Sequence, residues 1–394
     1  MSHDPIAEEN HFVHQVRELA PLIAASVGEI DATRDIPAEL FEQLVERGLF
    51  RLLQPKAIGG AQLTPPEFVR VLEEAAKHDA STAWCLGQNN VCSTVSAYLE
   101  PHAASAMFAS PRDILAWGPG PGEARVSDGG YVLNGQFSFA SGSRHATWLG
   151  AHVPVIEADG ARRTASDGSP GSFTMLFPRD KASVTDNWHV LGMRGTGSDS
   201  FSVEDVFIPQ QMTIARDYAI KPRLSDPLYV FTSSTLYSSG FAAVALGMAR
   251  ATFDAFTSAM RDTIPRGASR SRGANNVVQT QVGQAEAKLR SARMFLLGSL
   301  DDVWAGVQAN GTMSDEQRLS LRLSTTWAIQ QSREVISALY LSAGSAAIFE
   351  SGPFERRFRD IHTLCQQIQG HAAHFETVGQ ILMGMEPDRP MFTF

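Results

Sequence analysis

The spacing of apolar side chains changes twice along the 394-residue sequence, from helical to strand-like and back to helical. Apolar residues recur at helical spacing from about residue 10 to residue 115. Short alternating runs separated by Gly, Asp and Pro follow up to about residue 215. Helical spacing then returns from about residue 225 to the end. This order is unusual and restricts the fold class to a β segment between two helical ones.

Local signals locate individual elements within these segments. Thr64-Pro65-Pro66-Glu67 is a capping box with Pro at the first helical position, and Ser314 with Gln317 forms a second capping box. Asn134-Gly135, flanked by apolar residues, predicts the turn of a β-hairpin. Gly311 predicts the end of a helix.

We therefore expect an α+β multidomain fold with an N-terminal helical domain, a middle antiparallel β-barrel or sandwich, and a C-terminal four-helix bundle. The predicted boundaries are 1–115, 116–222 and 223–394. The long amphipathic helices of the bundle are predicted at Phe241–Met260, along the face from Ala285 to Val303, from Ser314 to Leu339, and at Ile361–Met383.

Charge and composition exclude several classes of function. The net charge of −9 without a Lys/Arg block argues against nucleic-acid and membrane-surface binding. The longest apolar stretch, Gly240 to Ala249, is too short for a membrane helix. Cys85, Cys92 and Cys365 are odd in number and lack metal-ligand spacing, so we expect free thiols in a reducing cytoplasm.

Motifs for nucleotides and metals are weak or absent. Gly118-Pro119-Gly120-Pro121-Gly122 is rich in glycine, but its prolines lack the amide donors that a phosphate cradle needs. It is either a turn between strands or a loop lining a cofactor. His371 and His374 are spaced as a helical pair without a third ligand, so we expect no metal site.

Four short segments, taken together and in order, resemble the acyl-CoA dehydrogenase superfamily over about residues 15 to 385. They are Gly48-Leu49-Phe50 with Ser81-Thr82-Ala83-Trp84; Gly135-Gln136-Phe137-Ser138-Phe139-Ala140-Ser141-Gly142; Leu191-Gly192-Met193-Arg194-Gly195-Thr196-Gly197-Ser198; and Glu355-Arg356-Arg357-Phe358-Arg359-Asp360.

Departures from the dehydrogenase pattern favour the monooxygenase branch of this superfamily. Ser351 stands where common dehydrogenases carry a carboxylate base, and a serine hydroxyl is a weak base at pH 7. Phe139-Ala140-Ser141-Gly142 and Arg359-Asp360-Ile361-His362 are similar to segments of the oxygenase components of two-component (group D) flavin-dependent monooxygenases.

The resemblance implies an enzyme that receives FADH2 or FMNH2 from a separate NAD(P)H:flavin reductase. Such an enzyme uses O2 as co-substrate and hydroxylates a small aromatic substrate, phenolic or indolic, through a C4a-hydroperoxyflavin. It also implies a homotetramer.

The resemblance further implies roles for residues of the β segment. Ser141 corresponds to the hydrogen-bond partner of the flavin N5, although its hydroxyl could instead satisfy its own strand backbone. Phe139, placed on the same strand face, would stack near the ring system or belong to the β core. Trp117 and Gly118 occupy the strand end that borders the isoalloxazine.

The remaining implied site residues lie further along the chain. Arg194, Thr196 and Ser198 occupy the turn that resembles the flavin-side loop, where a β-turn alone would also explain the glycines. Arg270 lies near the position at which the family carries an arginine that contacts the flavin of the neighbouring subunit. His362, expected to open the last helix, could remove a proton from a phenol or an indole N–H, or could simply pair with Asp360.

Two other functions remain open at this point. One is an acyl-CoA dehydrogenase or related flavin oxidase in which Glu350 serves as the base. The other is an inactive family member that acts as a binding or assembly module. Cys92 stands where members of the family often carry a histidine, so substrate activation could also differ from theirs.

Overall fold

A computed structural model describes residues 10–166, 168, 170–216, 220–264, 267 and 269–392. Within these residues helices occupy both ends of the chain and strands occupy the middle, as the hydrophobic pattern predicts. The helices are α1 His11–Thr33, α2 Ala38–Glu46, α3 Pro65–Ala76, α4 Ala80–Ser93, α5 Pro101–Met107, α6 Ser233–Asp262, α7 Asn276–Asn310, α8 Asp315–Ala343, α9 Glu355–Leu364 and α10 His374–Leu382.

Both predicted capping boxes are present. The hydroxyl of Thr64 accepts from the backbone N–H of Glu67, whose carboxylate accepts from the backbone N–H of Thr64, and α3 begins there. Ser314 and Gln317 make the same exchange at the start of α8. Each pair satisfies backbone donors that the first helical turn leaves unpaired.

The strands form one eight-stranded mixed sheet in which β1 branches off at β4. They are β1 Leu115–Trp117, β2 Gly122–Ser127, β3 Gly130–Phe137, β4 Trp148–Ile156, β5 Ser172–Pro178, β6 Ser183–Thr185, β7 Ser200–Pro209 and β8 Thr213–Ala215. The sheet does not close into a barrel. Of the two arrangements predicted, the sheet therefore matches the sandwich and not the barrel; it is mixed and not antiparallel throughout, because β1 and β2 each pair with β4 in parallel.

Asn134-Gly135 is not a hairpin turn. Strand β3 runs through both residues, and the turn that joins β2 to β3 lies at Asp128-Gly129 instead. The register between β3 and β7 shifts next to Asn134, and the Asn134 side chain exchanges two hydrogen bonds with Asp205, at 3.0 and 2.9 Å. Asn134 therefore stabilises an irregularity between two strands.

The last helix of the predicted bundle is divided. Helix α9 ends at Leu364, and α10 starts only at His374. The Gln367 side chain accepts from the backbone N–H of Gln369, and Gln330 of α8 donates to the Gly370 carbonyl at 2.7 Å. These side-chain bonds accompany a short 3-10 helix, Ile368–Gly370, that interrupts the α-helix between α9 and α10.

Helix α4 lies at the centre of the structure. All of its residues are buried, and it packs against α3, α6 and β1. It therefore connects the first helices, the sheet and the C-terminal helices. No helix in the described part of the chain is long and apolar enough to span a membrane.

Candidate functional site

Four side chains from three segments form a buried hydrogen-bonded cluster, which we call the hydroxyl cluster: Trp84, Ser141, Thr196 and Ser198. The Trp84 indole N–H donates to the Ser141 hydroxyl at 3.1 Å. The Ser141 and Ser198 hydroxyl oxygens are 2.7 Å apart, and those of Ser198 and Thr196 are 2.6 Å apart. The Thr196 hydroxyl donates to the Met193 carbonyl at 2.9 Å. Ser141 is therefore bonded to distant side chains rather than to its own strand.

The segment that carries Ser141 has an unusual backbone. Strand β3 ends at Phe137, so the expectation that Phe139 and Ser141 share a strand face is wrong. Phe139 has φ +58°, and its side chain is 64% exposed, which also excludes it from the β core. Its ring and that of Trp188 form a T-shaped pair with a centroid distance of 5.9 Å. A left-handed aromatic residue is uncommon and costs free energy, and such strain concentrates at functional sites.

The glycine-rich segment after β1 runs beside the Ser141 segment. The Pro119 carbonyl accepts from the Ser138 N–H at 2.9 Å. A Cβ on Gly118 would lie 2.0 Å from the Ser138 carbonyl oxygen, so only glycine allows this approach. Trp117, at the end of β1, is buried and lies edge-on to His152 at 4.8 Å.

Aromatic side chains of α4 and α6 lie behind the hydroxyl cluster. The rings of Trp84 and Phe241 are stacked 3.5 Å apart, and Tyr237 lies 5.4 Å from Phe241. The Tyr237 hydroxyl is 3.3 Å from the Cys92 sulfur. Burial raises the pKa of both groups, that of Cys92 to about 12. Both therefore stay protonated at neutral pH, and neither can act as a base there.

The turn that carries Thr196 and Ser198 is tied to helix α9. The Asp360 carboxylate accepts from the Met193 backbone N–H at 2.5 Å, and burial raises the pKa of that carboxyl to about 6. A Cβ on Gly192 would lie 2.3 Å from the Arg359 carbonyl carbon. The position of α9 therefore controls the position of the hydroxyl cluster.

The two predicted arginines lie away from the cluster. Arg194 donates to the Asp31 carbonyl of α1 at 3.0 Å, so it joins the turn to the first helix. Arg270 is exposed in the connection between α6 and α7. Beside that connection is a groove of about 560 Å³, lined by Thr257, Met260, Arg261, Ser271, Gly273, Ala274, Val278, Gln279 and Val282.

His362 lies in the last turn of α9, so the expectation that it opens a helix is wrong. Its Nε2 is 3.1 Å from the Ser337 hydroxyl of α8, and its ring lies 4.5 Å from Phe358. Burial and the nearby Arg333 lower its pKa below the ordinary value. His362 is thus predominantly neutral at pH 7 and able to accept a proton, but its contacts are within the helical bundle.

Glu350, which would be the base if the protein were a dehydrogenase, is exposed in the turn before α9. The described residues contain no group of three or more His, Cys, Asp or Glu side chains that could hold a metal ion.

Two site residues were missed in the sequence. Trp84 belongs to a segment that carries the family resemblance. A buried indole N–H needs a hydrogen-bond acceptor, and this requirement could have indicated that Trp84 belongs to the site. Trp188 lies in a polar stretch without periodicity, and nothing in the sequence connects it with Phe139.

Comparisons with known proteins agree with this architecture. Residues 7–101 match the acyl-CoA dehydrogenase N-terminal domain, and residues 239–374 match the acyl-CoA dehydrogenase C-terminal domain. Indole-3-acetate monooxygenase from Pseudomonas putida is 28% identical over 92% of this chain and 91% of its own length.

The oxygenase subunit HsaA of a flavin-dependent monooxygenase from Rhodococcus jostii is 28% identical over 87% of this chain and 90% of its own length. The crystal structure of 3-HSA hydroxylase from Rhodococcus sp. RHA1 superposes with a TM-score of 0.88 at 26% identity, covering 97% of this chain and 99% of the other. The chain therefore belongs to the acyl-CoA dehydrogenase superfamily and is an oxygenase component of the flavin-dependent monooxygenases within it.

Proposed function

We propose that this chain hydroxylates a small phenolic or indolic compound with reduced flavin and O2, and that a separate NAD(P)H:flavin reductase supplies the flavin. The observation that carries the proposal is one short segment that combines an exposed aromatic ring, Phe139, with a buried hydroxyl, Ser141. Similarity to an indole-3-acetate monooxygenase supports an aromatic substrate. Three unpaired, buried cysteines support a reducing, cytoplasmic location.

The residues of this segment fit a reduced flavin. An isoalloxazine is flat and apolar on its faces, with N–H and C=O groups at its edges. Phe139 offers an exposed ring beside Trp188 to such a face, and the hydroxyl cluster offers an oxygen to an N–H at the edge. When bound, reduced flavin supplies two electrons to O2, so that one oxygen atom enters the substrate and the other leaves as water.

We assign Ser141 to the flavin N5–H. Its hydroxyl oxygen would accept that hydrogen bond and hold the edge of the ring system in place. Stacked Trp84 and Phe241 fill the space behind it, so water has little access from that side. Trp117 and Gly118 would border the ring system on the β1 side.

We assign His362 to the substrate side. A neutral imidazole can accept a proton from a phenol or an indole N–H, which raises the electron density of the aromatic ring. This role requires the substrate to bind against the part of α8 and α9 that carries Ser337 and Phe358, which both contact His362.

We further propose a homotetramer in which Arg270 contacts the flavin of a neighbouring subunit. The groove beside Arg270 has room for part of a nucleotide, and a guanidinium favours a phosphate. Large apolar side chains are exposed on the C-terminal helices, among them Met294 at 73% and Leu341 at 75%. Such exposure is typical of a surface that another subunit covers. Light scattering at micromolar concentration tests the tetramer.

The test of the function is anaerobic mixing with FADH2 or FMNH2, followed by oxygen and an aromatic compound such as indole or 4-hydroxyphenylacetate. We expect hydroxylated product and little free hydrogen peroxide. Phe139→Ala should weaken flavin binding about tenfold, because it removes a stacking surface. Phe207→Ala, an exposed phenylalanine on β7, is the matched control and should have no effect. Peroxide alone with every aromatic compound tested would refute the proposal.

Reduction of bound flavin by an acyl-CoA, abolished by Glu350→Gln, would instead support a dehydrogenase. The exposure of Glu350 leads us to expect neither result.

A further inference from the structure

The protons of the hydroxyl cluster can be assigned one by one. The Met193 carbonyl can only accept, so the Thr196 hydroxyl donates to it at 2.9 Å. A threonine hydroxyl has a single proton, so at its 2.6 Å contact with Ser198 the Thr196 oxygen must accept. The proton in that contact therefore belongs to Ser198.

The same counting continues to Ser141. Ser198 has given its proton to Thr196, so at its 2.7 Å contact with Ser141 it must accept. The Ser141 proton is thus directed at Ser198. Ser141 also accepts from the Trp84 indole N–H at 3.1 Å, which is a donor only. One lone pair remains on the Ser141 oxygen, and no proton remains.

We infer that this chain of hydroxyls, anchored on the Met193 carbonyl, makes Ser141 an obligatory hydrogen-bond acceptor and thereby selects reduced flavin over oxidised flavin. The inference rests on the proposed placement of Ser141 at the flavin N5. Reduced flavin carries a hydrogen on N5 and can donate to Ser141. Oxidised flavin has a bare N5, which also only accepts, so the two lone pairs would face each other.

Thr196 and Ser198 are positioning residues in this scheme. They act on the flavin through Ser141, whose proton they direct away from it. Their burial strengthens the effect, because Ser141, Thr196 and Ser198 are all nearly inaccessible to water that could supply another donor or acceptor. An oxygenase component that is loaded by a separate reductase benefits from this selectivity, because oxidised flavin leaves after each turnover.

Anaerobic titration tests the inference by measuring Kd for reduced and for oxidised FAD and FMN, with tryptophan fluorescence as the readout. For the unaltered protein we expect reduced flavin to bind at least tenfold more tightly, the size of one hydrogen bond made or left unmade. Thr196→Val removes the anchor, so Ser198 can donate to Ser141 and Ser141 can turn its proton to a bare N5. The preference for reduced flavin should then fall about tenfold, mainly through tighter binding of oxidised flavin.

Two further variants separate this effect from a loss of fold. Ser198→Ala also frees the Ser141 proton and should lower the preference equally, whereas Thr196→Ser keeps the hydroxyl and should preserve it. Ser143→Ala is the matched control, because no described residue makes a hydrogen bond to the buried Ser143 hydroxyl.

If Thr196→Val and Ser198→Ala both still bind flavin with an unchanged ratio of the Kd for oxidised flavin to the Kd for reduced flavin, the inference is overturned while the monooxygenase proposal stays intact. Failure of the unaltered protein to bind either flavin would instead overturn the proposed function, and this inference with it.

Discussion

Replacing Ser141 with alanine should leave a buried donor without an acceptor. Trp84 is 7% exposed, and its indole N–H donates to the Ser141 hydroxyl at 3.1 Å. An unsatisfied buried polar group costs about 1–3 kcal/mol, and little water can reach this one. We therefore expect Ser141→Ala to lower the free energy of unfolding by about 2 kcal/mol, measured by urea denaturation without a change in the denaturant slope.

A double-mutant cycle identifies the cause of that loss. Trp84→Phe removes the indole N–H, so the combined variant no longer holds an unsatisfied donor. The sum of the losses in free energy of unfolding of the two single variants should exceed the loss of the combined variant by about 1 kcal/mol. Ser143→Ala, which removes a buried hydroxyl with no recorded partner among the described residues, should change stability by less than about 0.5 kcal/mol.

The same Ser141→Ala variant should release more hydrogen peroxide per NADH consumed when it is assayed with a flavin reductase. Strictly additive losses in the cycle, or stability equal to that of the unaltered protein, would refute the assignment of this hydrogen bond. Unchanged coupling of NADH to product would remove Ser141 from the mechanism.

Three further results are expected. Burial raises the pKa of the Asp360 carboxyl to about 6, so this group should make the protein less stable, by roughly 3 kcal/mol, as the pH rises from about 4 to 6. Urea denaturation at several pH values should show this loss of stability, and Asp360→Asn should remove it. His362→Gln should lower kcat about 100-fold for a substrate that must lose a proton, and the pH profile of kcat should lose its lower limb. Gly142→Ala should destabilise the protein by at least about 1 kcal/mol in thermal unfolding, because φ is +73° and a Cβ would lie 2.4 Å from the Asn89 amide oxygen.

Two of these expectations have a matched comparison. Replacing the exposed His371 should leave kcat unchanged, and a similar loss in both histidine variants would argue against a specific role for His362. Gly283→Ala lies in α7 with open space around the glycine and should not destabilise.

Local signals in the sequence determine where elements begin and end. The capping boxes at Thr64 and Ser314 and the left-handed cap at Gly311 depend only on residues within a few positions of each other, and all three are present in the structure. The buried face of α7 from Ala285 to Val303 follows the predicted spacing for the same reason. The order of helical and strand segments could be predicted from such signals, whereas the family was predicted from the resemblance of four short segments.

Long-range pairing overrode a local signal at Asn134-Gly135. The dipeptide favours a turn, but β3 is bonded to β2 on one side and to β7 on the other, so its backbone groups are satisfied only if the strand continues. Likewise, Gln330 of α8 and the Gln367 side chain interrupt the helical run after Leu364, although the apolar spacing continues there.

The chemistry of the candidate site was decided by the tertiary structure. The sequence identified Ser141, Thr196 and Ser198 separately, as members of two segments, but could not show that their oxygens and the Trp84 indole form one chain of hydrogen bonds. That chain exists because α4 and the turn before β7 pack against the segment after β3. Trp84 and Ser141, for example, are 57 positions apart in the sequence. The direction of each proton follows from this packing, because it depends on which groups meet and not on the spacing of residues in the sequence.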